Sequence, residues 1–330
     1  MSESRRGDRG TLSLEGDRGD GELLSLADCR LCPRECGVNR LAGERGFCGA
    51  GDKLRVALAA LHPWEEPCLV GEKGAGTVFF SHCSLRCVFC QNAVVSSEGG
   101  GLAIDVPRLA EIFLEQEGSG AATLDLVTPT HYAPQILAAL AKAKEEGLTL
   151  PVVWNSSGYE KAALVEKIAG AVDVFLPDLK YIEASTAGRY SAATDYFLWA
   201  KEAIRAMARV KGAPVFDARG VLRSGVLVRH LVLPGRRKES MALLDWLWGE
   251  FGDTVLLSLM NQYTPLYRAA EFPEINRRLT TFEYQSVVDH ALALGVTRCY
   301  VQEGKSASAK FVPAFDGRGV ACQSGSDKLQ

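Results

Sequence analysis

From about residue 76 onward, short apolar runs alternate with segments in which apolar residues recur at helical spacing. The apolar runs are nearly continuous and are therefore predicted to be strands buried on both faces: GTVFF, ATLDLV, LPVVW, VDVFL, GVLVRHLVL, TVLLSLM and RCYVQ. The helical segments are VPRLAEIFLEQ, APQILAALAKAKEE, YEKAALVEKIAG, DYFLWAKEAIRAMARV, KESMALLDWLWGEF and TFEYQSVVDHALALG. Strict alternation predicts an α/β fold with a parallel sheet covered by helices. Because the six to seven βα units are fewer than a complete barrel has, we expect a partial (β/α)6-like TIM barrel, with a doubly wound open sheet as the alternative.

The chain before this region has a different composition. Residues 1–22 are rich in Gly, Asp, Arg and Ser and are predicted to be a disordered tail. Residues 23–75 are rich in Cys, Pro and Gly, and this N-terminal segment needs something other than a hydrophobic core to hold it. We expect the barrel to occupy residues 76–315 and a flexible C-terminal tail to follow at residues 316–330.

The charge and the N-terminus argue against several partners. The formal net charge is −3 at pH 7, so no basic field favours nucleic acid or an anionic membrane. No apolar run approaches the roughly 20 residues that span a bilayer. The polar N-terminus lacks the apolar core of a signal peptide, which predicts a cytoplasmic, reducing environment. There, the ten cysteines favour metal or redox chemistry over disulfides.

Polar residues stand where the predicted strands end. In parallel α/β folds the carboxyl ends of the strands share one edge and carry the chemistry, so these residues predict a polar pocket at that edge. They are Ser81, His82 and Cys83; Thr128, Pro129, Thr130 and His131; Asn155, Ser156 and Ser157; Asp178 and Lys180; Arg229 and His230; and Asn261, Gln262 and Tyr263.

Two of these strand ends carry charges that need partners. Arg229 interrupts an apolar strand, and an unpaired buried guanidinium is costly, so it must meet an anion. That anion is either the carboxylate of a ligand or an internal partner such as Asp178. Asp178 and Lys180 are two residues apart, so their side chains point to the same face.

The segment HCSLRCVFCQN contains three cysteines in the pattern C-x3-C-x2-C. They are Cys83, Cys87 and Cys90, which we name the cysteine triad. Soft thiolates suit iron–sulfur clusters, and three ligands leave one iron of a four-iron cluster open to a chelating small molecule. The alternative is a three-cysteine zinc site completed by His82.

This motif resembles that of the radical S-adenosylmethionine superfamily, including Phe89 before the last cysteine and its place after the first barrel strand. The similarity extends along most of residues 24–315. The phrases LCPRECGVNR, GTVFFSHCSLRCVFCQN, VTPTHYAPQIL, FLPDLKY, RHLVLPG and LSLMNQYTP are similar to the PflX branch, which is related to the activating enzymes of pyruvate formate-lyase.

The resemblance implies a cofactor set and a reaction. The cysteine triad would hold a [4Fe–4S] cluster, and S-adenosylmethionine would chelate the fourth iron. One electron, from a donor such as flavodoxin or ferredoxin, would cleave S-adenosylmethionine to a 5′-deoxyadenosyl radical that abstracts hydrogen from a substrate. The protein's own task would be positioning, electron delivery and exclusion of side reactions.

The resemblance also implies residue roles. The implied cofactor-binding residues are Phe89, Thr128, Asn155, Asp178 and Arg229, and the candidate catalytic residues are Asp178, Lys180 and His131. Arg229 matches the arginine that contacts the carboxylate of S-adenosylmethionine. The chain departs from the family pattern where Asn155 replaces an acidic residue and where residues 128–131 replace a Gly-Gly-Glu-like motif. His131 is either a proton donor or substrate contact, or a hydrogen-bonded loop residue.

Four further cysteines lie within twenty residues, in the pattern Cys29-x2-Cys32-x3-Cys36-x11-Cys48. We name them the N-terminal cysteine group. Four thiolates complete either a tetrahedral zinc site or a closed [4Fe–4S] cluster, and either would staple the core-poor segment. The zinc interpretation gives a structural role, and the cluster interpretation gives an auxiliary electron relay.

Three functional hypotheses follow. The first is a radical enzyme that acts on a partner protein, as glycyl-radical activases do. The second is a radical enzyme that modifies a peptide, a metabolite or RNA, although the near-neutral charge disfavours RNA. The third, of another class, is a non-catalytic interaction protein that binds zinc or iron.

Overall fold

The computed structural model describes residues 23–302 and 313–321, so most of both predicted tails lies outside the described residues. The strands are β1 Leu54–His62, β2 Ala75–Phe80, β3 Leu102–Ile104, β4 Leu124–Val127, β5 Val152–Ser156, β6 Val174–Pro177, β7 Val215–Phe216, β8 Leu222–Leu231, β9 Leu256–Met260 and β10 Cys299–Val301. The α-helices are α1 Pro67–Val70, α2 Ala93–Ser96, α3 Val106–Gly118, α4 Ala133–Glu145, α5 Ala162–Ile168, α6 Ala184–Ser191, α7 Tyr196–Lys211, α8 Arg237–Phe251 and α9 Thr281–Ala293. All seven predicted strands and all six predicted helices are present.

The strands form one mostly parallel sheet, in the order β10-β9-β8-β6-β5-β4-β2-β1-β3, with β7 paired to β8. Every neighbouring pair from β2 to β10 along this order is parallel. The parallel strands follow one another in chain order without a reversal. A doubly wound sheet reverses its strand order at a switch point, so this topology matches the partial barrel rather than that alternative.

The sheet extends beyond the predicted barrel at its N-terminal side. β1 lies within the segment 23–75, yet it pairs antiparallel with β2 from Val56 opposite Phe80 to His62 opposite Ala75. β3 then pairs antiparallel with β1. The α/β sheet therefore begins at residue 54, and the Cys-rich part of the N-terminal segment is confined to the residues before it.

Successive strand residues alternate between faces, so residues two apart on a strand both face inward. On the inner face of the sheet these side chains form two layers. The layer near the amino ends of the parallel strands is apolar and packs against α1. It consists of Val153, Val174, Leu176, Leu222, Leu227 and Leu256, with Cys68 and Leu69 of α1. The layer nearer the carboxyl ends contains Asp125, Asn155, Asp178 and Arg229, which the hydrogen bonds described below connect. α1 thus covers one end of the inner face, and the polar chemistry is gathered towards the other.

The main core lies between the sheet and the helices outside it. Trp154 and Phe175 of the sheet belong to one buried cluster with residues of α4, α5 and α7. Residues 316–321, the described part of the predicted C-terminal tail, lie against β1 and α3. The Ala59 amide donates to the Arg318 carbonyl, and Arg108 Nε donates to the Val320 carbonyl, each at 3.0 Å. No helix among the described residues is both long and apolar enough to cross a membrane.

His230, one of the polar residues of β8, points away from the inner face. Its Nδ1 donates to the Leu179 carbonyl at 2.6 Å, so its Nε2 accepts from Ser240 Oγ of α8 at 2.8 Å. Burial lowers the pKa of His230 to about 4, so the ring is neutral in the folded protein. His230 therefore joins β8 to α8 and does not belong to the polar layer.

We expect His230 to make folding stability dependent on pH below about 6.5. The unfolded chain binds a proton there while the folded ring does not, so the free energy of unfolding falls as the pH drops. At pH 5 this one residue accounts for a loss of about 2 kcal/mol relative to pH 7. Urea unfolding at both pH values should show a smaller loss for His230→Asn than for the wild type. Equal losses in the two proteins would contradict this assignment.

Candidate active site

Arg229 is the centre of the polar layer and uses all three nitrogens of its guanidinium. Nε donates to Asp178 Oδ1 at 3.0 Å, Nη2 to Asn155 Oδ1 at 2.6 Å and Nη1 to Glu65 Oε1 at 3.2 Å. These partners come from the end of β6, from β5 and from the loop after β1. The internal ion pair with Asp178, which the sequence left as an alternative, is therefore present.

Asp178 is shared between Arg229 and Lys180. Lys180 Nζ donates to Asp178 Oδ2 at 2.5 Å, while Arg229 occupies the other oxygen. Burial would raise the pKa of Asp178, but the charges of Lys180 and Arg229 lower it below its ordinary value. Asp178 is thus an ionised carboxylate held between two cations. The structure brings together four of the predicted site residues: Asn155, Asp178, Lys180 and Arg229.

Three acidic residues of this site were missed by the sequence analysis: Glu65, Glu66 and Asp125. Asp125 of β4 accepts from Asn155 Nδ2 at 3.3 Å, and burial together with the neighbouring Glu65 raises its pKa well above the ordinary value. Burial also raises the pKa of Glu66 to about 7. Asp125 could have been found, because like Arg229 it is a charge inside an apolar strand. The two glutamates follow an unpredicted strand and gave no such signal.

A second buried carboxylate, Glu160, organises the ends of β4 and β5. It accepts from Thr130 Oγ1 at 2.8 Å, Trp154 Nε1 at 2.8 Å and Ser156 Oγ at 2.7 Å. Burial raises the pKa of Glu160, while these three donors lower it. The backbone at Gly158 packs closely against the backbone at Asp178, so a Cβ on residue 158 would lie 2.1 Å from the Asp178 carbonyl oxygen. Only glycine fits there, since its φ is also +74°.

The cysteine triad lies on the loop between β2 and α2, beside this polar network. The Leu85 amide donates to Cys83 Sγ at 3.4 Å, Ser191 Oγ donates to Cys87 Sγ at 3.0 Å, and Cys90 Sγ lies 3.1 Å from Ser96 Oγ. Burial, then repulsion by Cys87, raises the pKa of Cys83 to about 12. The charge of Lys180 lowers the pKa of Cys87, although burial raises it overall. The thiols of the triad therefore interact electrostatically with one another and with Lys180.

The triad loop is also held by the long loop after β9. The ring of Phe89 meets the ring of Tyr263 edge-on, with 5.6 Å between the centroids. The Arg268 amide donates to the Val88 carbonyl at 2.9 Å. Tyr263 itself is anchored, since its hydroxyl donates to the Ile275 carbonyl. Phe89 is thus a packing contact between the two loops, and Asn261 is engaged with Gln302.

His131 lies apart from the Arg229 network, and Thr128 meets it only at the backbone of Asn155. His131 Nε2 donates to the Ser81 carbonyl at 2.7 Å, and the His131 carbonyl accepts from Arg40 Nη1 at 2.6 Å. Burial lowers the pKa of His131 to about 3, so it is neutral at physiological pH. Its contacts are those of the hydrogen-bonded loop residue that the sequence analysis weighed. The Thr128 amide donates to the Asn155 carbonyl, with a positive φ of 59° at Thr128.

Three sulfurs of the N-terminal cysteine group accept hydrogen bonds. The Phe47 and Ala50 amides donate to Cys36 Sγ and Cys48 Sγ at 3.3 and 3.4 Å, and Arg40 Nη1 donates to Cys29 Sγ at 3.8 Å. Burial raises the pKa of Cys32 to about 12, and Cys48, Cys36 and Cys29 contribute by repulsion. At Gly46 a Cβ would lie 2.7 Å from Cys36 Sγ, so the loop needs glycine there.

These two sets of thiols fit metal binding by their chemistry. Hydrogen-bond donors directed at sulfur stabilise thiolates, and mutually repelling thiolates need a cation among them. All nine cysteines that the structure describes are free thiols. Among residues 23–302 and 313–321, no three His, Cys, Asp or Glu side chains are arranged to hold a metal ion. The donor sets therefore fit, while the coordination geometry is not formed.

No family model matches this chain. It is 29% identical over 273 residues to the uncharacterized protein MJ0674 of Methanocaldococcus jannaschii, an alignment that covers 80% of this chain and 74% of that protein.

Several solved structures are loosely similar. Streptococcus suis SuiB bound to precursor peptide SuiA has a TM-score of 0.46 and 12% identity, covering 69% of this chain and 48% of SuiB. SuiB bound to S-adenosylmethionine has a TM-score of 0.47 and 13% identity, covering 67% and 48%. Methylornithine synthase, PylB, has a TM-score of 0.43 and 13% identity, covering 66% and 68%. The chain spans about half the length of the SuiB chains that it matches.

We expect the charge balance around Arg229 to govern stability. Arg229→Gln leaves Asp178 and Glu65 without their shared cation and should lower the free energy of unfolding by about 3 kcal/mol or more. Asp125→Asn should cost less than Arg229→Gln, about 1 kcal/mol or below, because burial and the neighbouring Glu65 raise the pKa of Asp125 and so favour the neutral form that asparagine mimics. Urea unfolding measures both values. A loss for Asp125→Asn as large as that for Arg229→Gln would show that Asp125 is ionised.

Proposed function

We propose that this chain is a radical S-adenosylmethionine enzyme in which Cys83, Cys87 and Cys90 hold a [4Fe–4S] cluster. The observation that carries the proposal is the position of these three hydrogen-bonded thiols after β2, with Lys180 beside Cys87 and the Arg229 network beside Lys180. When bound, the cluster supplies the electron that cleaves S-adenosylmethionine to a 5′-deoxyadenosyl radical, which abstracts hydrogen from the substrate. Three thiolates leave an open position, as this chemistry requires.

The chain's own residues would position the sulfonium cofactor. Arg229 is the proposed partner of its carboxylate, and the Nη1 contact to Glu65, the longest of the three, is the one that we expect the ligand to replace. Asp178 keeps Arg229 and Lys180 in place, and Asn155 holds the other edge of the guanidinium. Glu160 fixes the ends of β4 and β5 that border this position.

Within this class we favour a partner protein as the hydrogen donor, because the sequence resembles glycyl-radical activating enzymes. The electron donor would be a flavodoxin or ferredoxin, and the protein would work in the cytoplasm. A stable glycyl radical signal on a copurifying protein, seen by electron paramagnetic resonance after reduction with S-adenosylmethionine, supports this. Turnover of a peptide, metabolite or RNA without such a signal would contradict it and leave the radical chemistry intact.

The N-terminal cysteine group would hold a second metal, either zinc or an auxiliary iron–sulfur cluster. Anaerobic purification followed by iron, sulfide and zinc analysis distinguishes the two. About four irons and one zinc per chain indicate a structural zinc site, and about eight irons without zinc indicate two clusters.

The proposed cluster predicts that each of the three triad cysteines is essential for iron binding and for cleavage of S-adenosylmethionine. Cys83→Ala, Cys87→Ala and Cys90→Ala should each lose the triad's complement of about four irons and all formation of 5′-deoxyadenosine, measured anaerobically with dithionite. Cys68→Ala is the matched control, because Cys68 is buried against the apolar layer of the inner face. Triad variants that form 5′-deoxyadenosine at the wild-type rate would refute the proposed cluster. Absence of iron from the wild type, even after reconstitution, would favour a zinc-binding interaction protein.

A further inference from the structure

The two cysteine-bearing loops exchange arginines. Arg34 lies between Cys32 and Cys36 of the N-terminal cysteine group, and its Nε donates to the Ser84 carbonyl within the triad loop at 3.0 Å. Arg86 lies between Cys83 and Cys87 of the triad, and its Nη2 donates to the carbonyl of Phe47, the residue before Cys48. Each loop therefore supplies a cation to the backbone of the other.

The ring of Phe47 stands with these two arginines. The guanidinium carbon of Arg34 lies 3.8 Å from the ring centroid and that of Arg86 lies 5.0 Å from it. Such cation–π contacts are attractive, and a planar guanidinium stacks on a ring as a lysine ammonium cannot. The Phe47 amide also donates to Cys36 Sγ. We name Arg34, Phe47 and Arg86 the clasp.

Arg34 and Phe47, the two clasp residues that precede β1, depend on the N-terminal cysteine group for their positions. Before β1, few described side chains are buried: Leu31, Pro33, Arg40, Cys48 and Ala50. A segment with so little core is ordered by a metal when its ligands are thiols. Arg34 lies two residues from both Cys32 and Cys36, and Phe47 is adjacent to Cys48. Metal bound by these thiols would therefore fix both residues.

We propose that the clasp couples metal binding at the N-terminal cysteine group to the order of the triad loop. Arg34, Phe47 and Arg86 are positioning residues: they hold residues 83–90 in the conformation that binds the cluster only when the N-terminal group carries its metal. The inference rests on the proposed function for the meaning of the triad. The coupling itself requires only the N-terminal metal and the contacts of the clasp.

Hydrogen–deuterium exchange of full-length, anaerobically purified protein tests the coupling. The reporters are amides of the triad loop, among them Val88, which donates to the Tyr190 carbonyl at 2.9 Å. Cys36→Ser and Arg34→Ala should each speed exchange across residues 83–90 by about tenfold, the effect of losing the hydrogen bond from the charged Arg34 side chain. Phe47→Ala keeps the carbonyl that accepts from Arg86 but removes the ring that both guanidiniums contact, and should speed exchange by about threefold or more. Arg45→Ala is the matched control, because Arg45 donates to the Gly49 carbonyl within its own segment.

A double variant separates coupling from simple packing. If the metal acts through the clasp, Cys36→Ser combined with Arg34→Ala should exchange no faster than the faster single variant, because the second change removes a contact already lost. Arg34→Lys, which keeps the charge and disturbs folding less, should also loosen the loop. Additive effects in the double variant, or wild-type exchange in both Arg34 variants and Phe47→Ala, would overturn the inference.

The metal content of the same samples separates this inference from the proposed function. Wild-type protein without iron at the triad would overturn the proposed function, while the exchange comparison would still decide the coupling through the metal of the N-terminal group. If the triad variants contain no metal at all, the N-terminal cysteine group holds none. That result would overturn the coupling. Cys36→Ser with unchanged exchange in the triad loop would do the same.

Discussion

A guanidinium on the inner face of a parallel sheet imposes the arrangement of the polar residues around it. Arg229 cannot be buried alone, and its three nitrogens bond to a carboxylate at the end of β6, an amide on β5 and a carboxylate after β1. Asp125 on β4 joins through Asn155, and Lys180 joins through Asp178. One charge thus links most of the inner strands, and the triad loop lies beside the cationic end of this network.

The need for partners also explains how the Cys-rich residues before β1 contact the rest of the protein. Buried thiols resist ionisation, so neither set of cysteines is a stable cluster of thiolates without a cation. The segment before β1 compensates for its small core with arginines that reach backbone carbonyls across the boundary. Arg34 reaches Ser84, Arg40 reaches His131, and Arg86 reaches back to Phe47. The two cysteine-bearing loops are consequently joined by hydrogen bonds that run in both directions.

The elements that the sequence predicted are those whose signals are local. Strands β2, β4, β5, β6, β8, β9 and β10 are continuous apolar runs, and helices such as α4 and α7 repeat at helical spacing. β1 was missed because alanine and leucine favour helix, and only pairing with β2 makes LRVALAALH a strand. Similarly, Glu160 follows β5 with no motif around it, and its three donors become apparent only when β4 and β5 are side by side.

The sequence by itself determined the order of the strands and helices, the two cysteine groups with their spacing, and the charges that had to be satisfied within apolar strands. Periodicity and spacing are properties of neighbouring residues, so they can be recognised without knowledge of the fold. Only the tertiary structure decided which partners satisfy those charges. Arg229 bonds to residues 51, 74 and 164 positions away in the chain, and Arg34 to one 50 positions away. Such pairings depend on the register and order of strands, because hydrogen bonds and ion pairs act over a few ångströms of space regardless of separation along the chain.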